Sequence, residues 1–154
     1  MAIGELCSRE VVYVDRNDTV AQAARLMREH HLGSHVVAEG SDGGRRPAGM
    51  ITDRDIAVGV VALGLDPEAT NVEAAMRGRI VSVREDEGVG RAIALMRAEG
   101  VRRLPVVDSS GKLVGVIAAD DLIDLFAEEM SGLAGMLTRG ANREERERPG
   151  GRGL

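Results

Sequence analysis

The sequence predicts an α/β (α+β) fold built from two pseudo-symmetric β-α-β-β-α repeats, and three observations carry that prediction. The chain matches itself: Val11-Val12 aligns with Ile80-Val81, Val20 with Val89, and Leu26-Met27-Arg28 with Leu95-Met96-Arg97, all at an offset of 69 residues. Apolar residues stand at helical spacing in both copies, as Val20, Ala23, Ala24 and Met27 and again as Val89, Ala92, Ile93 and Met96. An apolar strand that stops abruptly and opens a helix occurs twice, as Gly49-Met50-Ile51-Thr52-Asp53-Arg54-Asp55 and as Gly115-Val116-Ile117-Ala118-Ala119-Asp120-Asp121.

In chain order, short lead-in helices are expected at residues 3–7 and 72–76, one before each repeat. Val11-Val12-Tyr13-Val14 reads as the first strand, and Asp18 or Thr19 opens the first long helix. Gly100 ends the matching second helix in the left-handed conformation, and its counterpart is His31, a residue type that tolerates positive φ. A short strand follows each helix, at residues 34–38 and 103–107, and then a Gly-rich turn. From Gly49 and Gly115 onward the offset is 66, which places a three-residue insertion in the first copy within residues 40–47. The reading divides the chain into a first repeat (1–66), a second (67–130), a C-terminal helix extension (131–139) and a disordered tail (140–154) rich in Gly, Arg and Glu.

Composition narrows the function. At 154 residues the chain is long enough to bury roughly two-thirds of its unfolded surface. Tyr13 and Phe126 are its only aromatics and the net charge is −5, so it offers neither stacking platforms nor a cationic field, and no nucleic-acid partner is expected. The longest uncharged apolar run, residues 56–65, is too short to span a membrane, and Glu5 and Arg9 interrupt any signal-peptide pattern, so a cytoplasmic protein is expected. The one cysteine, Cys7, excludes an intramolecular disulfide and is read as a small buried side chain or as half of an intermolecular bridge.

Two readings of the strand–helix motif stand side by side. In one, the helix start is a phosphate site, with Thr52 adding a hydroxyl and Asp55 accepting from sugar hydroxyls. In the other, Thr-x-x-Asp is a capping box that serves only the helix. The second copy weakens the local explanation there, because Ala118 replaces Thr52 while Asp121 keeps the carboxylate.

These residues bear a resemblance. The Gly-hydrophobic-hydrophobic-Thr/Ser-x-x-Asp motif is met fully by residues 49–55 and partly by 115–121. A hydrophobic-x-x-hydrophobic-Pro strand is met by Val101-Arg102-Arg103-Leu104-Pro105 and loosely by Leu32-Gly33-Ser34-His35-Val36. Over residues 3–130 the chain resembles a tandem pair of cystathionine β-synthase (CBS) domains in the small stand-alone prokaryotic form. The resemblance implies a regulatory module that binds adenosyl ligands such as AMP, ADP, ATP, NAD or S-adenosylmethionine in clefts between the copies. Thr52 would then face phosphate and Asp55 the ribose, with Val11, Val12, His35, Val36 and Val37 lining the first adenine pocket; the helix start itself also offers Arg54 to an anion. Asp121 would hold the ribose of a second site lined by Ile80, Val81, Leu104, Pro105 and Val106; apart from the resemblance, Arg102-Arg103 read either as charge offered to phosphate or as a solvated strand edge. The resemblance also implies a homodimer paired through helices and an effector protein that the sequence does not name.

Three function classes remain: a nucleotide-sensing module, a structural dimerisation module with vestigial pockets, and an enzyme. For the last the sequence offers no nucleophile–base pair, no metal set and no Walker-type loop. His30, His31 and His35 crowd together, but adjacent helical residues do not face each other and no carboxylate is spaced to join them, so neither a metal nor another cofactor is expected. His35 stands where the second copy has Leu104 and is read either as an adenine contact or as an ordinary strand histidine. The apolar positions that continue past Gly132 through Leu137 read as a dimer or partner surface.

Overall fold

A computed structural model describes residues 1–41, 43–76 and 79–147. Within Met1–Ala119, a single compact unit, the repeats give two three-stranded sheets with strand orders β1-β2-β3 and β4-β5-β6. The first repeat comprises β1 (Tyr13–Val14), α2 (Val20–His30), β2 (Ser34–Glu39), β3 (Arg46–Thr52) and α3 (Asp53–Ile56), which continues as a π-helical turn over Ala57–Val61. The second comprises β4 (Val83–Arg84), α5 (Val89–Glu99), β5 (Arg103–Val107), β6 (Leu113–Ala118) and α6 (Ala119–Glu147). In each sheet the outer strand pairs parallel with the middle one, and the middle pairs antiparallel with the third. Both hairpins carry a register shift at equivalent places, Val37/Ala38 and Val106/Val107.

Local signals act as the sequence predicts. Thr19 caps α2 in a reciprocal box with Gln22, its Oγ1 accepting from the Gln22 N–H at 3.1 Å. His31 and Gly100 both end their helices in the left-handed region, at φ 53° and 63°. Val14, Ala23, Met27, Val37, Ile51 and Val72 form one buried cluster, so the apolar face of α2 packs against the first sheet. Fully burying each of these larger aliphatic side chains stabilises the fold by about 1.5–3 kcal/mol.

The lead-in helices behave in a way the sequence does not announce: they are exchanged. Helix α1 (Ile3–Leu6) docks on the second repeat, where the Ile3 N–H donates to the Glu87 carbonyl and that of Gly4 to Glu85, both at 2.8 Å. Helix α4 (Val72–Ala75) docks on the first repeat through the equivalent bonds, Val72 to Asp18 at 2.8 Å and Glu73 to Arg16 at 3.1 Å. The isolated bridges Ala2–Gly88 and Thr19–Asn71 repeat the same symmetry. Because of this exchange, position 66/67 marks the sequence repeat without separating two bodies.

The exchange also corrects the first strand. After α1 the chain runs beside β6, with Ser8 and Val116 trading backbone hydrogen bonds at 2.9 and 3.0 Å. Only at Tyr13 does it reach the first sheet, so Val11 and Val12 lie on the crossing and not in the expected four-residue strand. The tail differs as well. Helix α6, whose residues from Asp120 onward are a separate unit, continues through Glu147. Residues 140–147, expected to be disordered, are therefore helical and exposed, and 148–154 lie outside the described residues.

Gly115 is where the crossing chain comes closest. A Cβ there would sit 2.6 Å from the Cys7 Sγ and 2.8 Å from the Ser8 carbonyl oxygen. Gly115→Ala is expected to cost about 1–3 kcal/mol, read as a melting-temperature drop of several degrees. Gly132→Ala, whose new methyl meets nothing within 4 Å, is the control and is expected to raise helix stability by up to about 1 kcal/mol.

Candidate functional site

Strand alternation sorts the candidate residues onto two faces. Tyr13 pairs with Val36 and Val14 with Val37, and Val14 and Val37 belong to the buried cluster under α2. By the period of two, His35 and Ile51 share that helix-covered face, while Tyr13, Ser34, Val36, Met50 and Thr52 share the opposite one. The second sheet repeats the division. Leu104, Val106 and Ile117 lie with Val83, and Arg103, Pro105, Val116 and Ala118 face the other way, while Ile80 and Val81 precede the strand. A continuous run such as His35-Val36-Val37 therefore does not line one pocket. Val37 is a core residue; of the expected lining, Val36 and Pro105 share the face that carries Thr52 or Ala118, and both are themselves buried.

His35 is 2% exposed, and neither ring nitrogen makes a hydrogen bond. It is enclosed on the helix side and does not stack in an open pocket. Burial lowers its pKa from the ordinary value of 6.5, and the charges of His30 and Arg103 lower it further. The nearby backbone at Val12 and Leu26 offsets part of the shift.

At the first strand–helix junction the capping reading is realised. The Thr52 N–H donates to Asp55 Oδ2 at 2.9 Å, and the Asp55 N–H donates to Thr52 Oγ1 at 3.1 Å. The Asp53 N–H is held by the Gly33 carbonyl at 2.9 Å and that of Arg54 by Asp53 Oδ1 at 2.8 Å. The first amides of this short helix are thus engaged by the chain itself, so the expected cradle of free N–H groups is absent. An anion would meet the Thr52 hydroxyl and the exposed Arg54 side chain instead. At the second junction the Ala119 N–H donates to the Arg102 carbonyl at 2.8 Å, the exact counterpart of the bond from Asp53 to Gly33. Arg103 pairs with Ala118 where Ser34 pairs with Thr52, so the copy without the hydroxyl has a guanidinium beside it. Asp121 lies exposed in the first turn of α6.

The sequence reading missed a cleft of about 240 Å³ lined by Arg9, Val11, Tyr13, Arg45, Lys112, Leu113 and Val114. Arg45 lies over the Tyr13 ring, 4.4 Å from its centroid. Arg9 bonds Glu85 Oε2 and the Gly4 and Val114 carbonyls. The cleft therefore combines apolar walls with three cationic side chains. The signal available in the sequence was Arg45-Arg46 inside the insertion of the first repeat. Among the described residues no group of three or more His, Cys, Asp or Glu is arranged to hold a metal ion, and no helix is long and apolar enough to cross a membrane.

Two repeats, each running from a hairpin into a helix whose first turn bears carboxylates, define a class of paired α/β-repeat modules. The CBS domain family model matches residues 3–61 and 72–128, and the chain belongs to the CBS-domain family. An uncharacterised Methanopyrus kandleri protein is 35% identical over 125 residues, 81% of this chain, and the chain spans 62% of that relative's length. Hypoxic response protein 1 of Mycobacterium tuberculosis is 32% identical over 118 residues, covering 77% of this chain and 80% of that one. A solved structure of hypoxic response protein I, which holds two coordinated zinc ions, superposes with a TM-score of 0.73 at 29% identity over 80% of this chain and 98% of that one. A CBS domain protein of Pyrobaculum aerophilum in complex with AMP superposes with a TM-score of 0.71 at 27% identity, covering 79% and 90%.

His35 gives the site a checkable pH dependence. Its folded pKa lies below the unfolded value of 6.5, so the unfolded chain binds the extra proton first as pH falls. The contribution of the neutral ring is complete above pH 6.5 and is lost as pH drops toward the folded value. Melting temperatures measured from pH 8 to pH 5 are expected to fall on the acid side. In His35→Leu, which installs the residue found at position 104, that fall is expected to be smaller, with exposed His30 and His31 common to both proteins.

Proposed function

We propose that this chain is a regulatory module that binds an adenosyl nucleotide of the AMP, ADP, ATP, NAD or S-adenosylmethionine type and acts as a cytoplasmic homodimer on an effector protein, without catalysis of its own. The observation that carries the reading is the Thr52–Asp55 helix start, on the sheet face shared with Tyr13 and Val36, in a fold shared with an AMP-bound relative. Apolar walls suit a base, the Thr52 and Asp55 side chains suit phosphate and ribose, and Arg9, Arg45 and Lys112 favour an anion. Two exposed apolar patches, Val58, Val61, Leu63 and Leu65 in one unit and Ile123 through Leu137 in the other, favour self-association. A second reading, a structural dimerisation module with vestigial pockets, is favoured by one observation: Thr52 and Asp55 already satisfy each other.

Thermal-shift measurements against these ligands separate the two readings. A ligand at a hundred times its Kd stabilises by about 2.7 kcal/mol, a rise of several degrees, whereas a vestigial pocket responds to none.

The two halves are expected to bind unequally, with the first the stronger phosphate site. Losing a hydroxyl bond to a charged phosphate costs about 1.5–3 kcal/mol, or roughly ten- to a hundredfold in affinity. Calorimetric titration with AMP or ATP is expected to give one tight event per chain. Thr52→Ala or Asp55→Ala removes it and Asp121→Ala leaves it nearly intact; the opposite pattern moves the main site to the second repeat. Because Thr52→Ala also removes a helix cap worth about 0.5–2 kcal/mol, affinity and melting temperature are measured on the same variant.

A further inference from the structure

We infer that α6 pairs antiparallel with α6 of a second copy of this chain, through a seam that extends past the end of the family match at residue 128. Ile123, Phe126, Met130, Leu133 and Leu137 follow one another at alternating spacings of three and four, the repeat of a helix that buries a narrow stripe against another helix. All five are exposed in the single chain, from Phe126 at 49% to Leu137 at 70%. Ala127, Ala134 and Ala141 recur at seven-residue intervals beside the stripe and let two backbones approach closely. A helix that carries its apolar stripe uncovered over about 21 Å, at 1.5 Å per residue, is complementary to another copy of the same stripe.

Charge sets the direction. Residues 119–130 carry five carboxylates, Asp120, Asp121, Asp124, Glu128 and Glu129, and no cation, whereas residues 131–143 carry Arg139 and Arg143 and no carboxylate. Parallel pairing lays one acidic half along another. Antiparallel pairing lays each acidic half along the partner's arginine-bearing half and removes that repulsion. The stripe also fixes a register, because antiparallel pairing sets Met130 against the partner's Leu133 and Phe126 against the partner's Leu137. Ile123 then meets the partner's Gly140, a large side chain against a small one.

The inference rests on reading the chain as a homodimer, and the tests keep the two apart. In the full-length chain on a Cys7→Ser background, mixing Phe126→Cys with Leu137→Cys under mild oxidation is expected to give a disulfide-linked heterodimer. Leu137→Cys alone does not link to itself, since the two copies of position 137 lie about 16 Å apart along the axis, beyond disulfide reach. Self-linking by Leu137→Cys without the mixed product overturns the antiparallel seam. In light scattering, wild type is expected at twice the 16.3 kDa chain mass, and Met130→Glu/Leu133→Glu is expected to weaken association by roughly a hundredfold or more with its helical circular dichroism retained. A dimer untouched by that double substitution overturns the seam and leaves the homodimer standing. A wild-type monomer up to hundreds of micromolar overturns both.

Discussion

The backbone exchange at the two lead-in helices is the interaction on which the rest of the structure depends. A repeat of this size buries too little surface to be secure alone, and each sheet leaves its outer strand, β1 or β4, only two residues long. The bonds from Ile3 and Gly4 to Glu87 and Glu85, and from Val72 and Glu73 to Asp18 and Arg16, fasten each repeat to the segment that precedes the other. Ile3 and Val72 are both fully buried, so each lead-in inserts an apolar side chain at the same point where its amides are satisfied. Met1–Ala119 is one unit for that reason, and the crossing that joins its halves carries Arg9 and Val11 to the cleft.

Most of this fold is legible in the sequence, because its signals are local. The stripes of α2 and α5, the Thr19 cap and the left-handed His31 and Gly100 are each determined within a few residues, and the structure contains all of them. The insertion falls where the offset changes, between Glu39 at the end of β2 and Arg46 at the start of β3. The exchange was not legible, since a lead-in helix has the same sequence whichever repeat it docks on. The length of α6 was missed for a different reason. Glycines at 132, 135 and 140 lower helix propensity by up to about 1 kcal/mol each, yet Arg143 and Glu147 pair at i, i+4 and the helix persists through them.

Strand geometry sorts the candidate site residues in a way that motif spacing does not. A run such as Val36-Val37 cannot form a single pocket wall, because a strand sends consecutive side chains to opposite faces. Val37 and Val106 are consequently interior residues, and Ser34, Met50 and Tyr13, which a period-of-two reading selects, share the face with Thr52. His35 illustrates the limit of pattern reasoning in a different way. Its neighbours mark it as a core position, as Leu104 is in the other copy, but its polar ring attracts a functional reading that its burial does not support.

The Thr52–Asp55 pair resolves the opposition between cap and ligand site into a competition. Each side chain already bonds the other's amide, so a ligand that recruits them does not enter an unsatisfied site. On the proposed reading the competition is for the Asp55 carboxylate alone, whose bond from the Thr52 amide belongs to a cap worth about 0.5–2 kcal/mol, against charge-assisted bonds worth about 1.5–3 kcal/mol each. The hydroxyl serves both states, because Oγ1 accepts from the Asp55 amide while its hydrogen remains a donor. Thr52 can therefore hold the helix start and an anion together, which Ala118 cannot do at either task. The second repeat has no side-chain hydroxyl at this position, and Arg103, which stands opposite Ala118 where the first repeat has Ser34, brings a cation to that helix start.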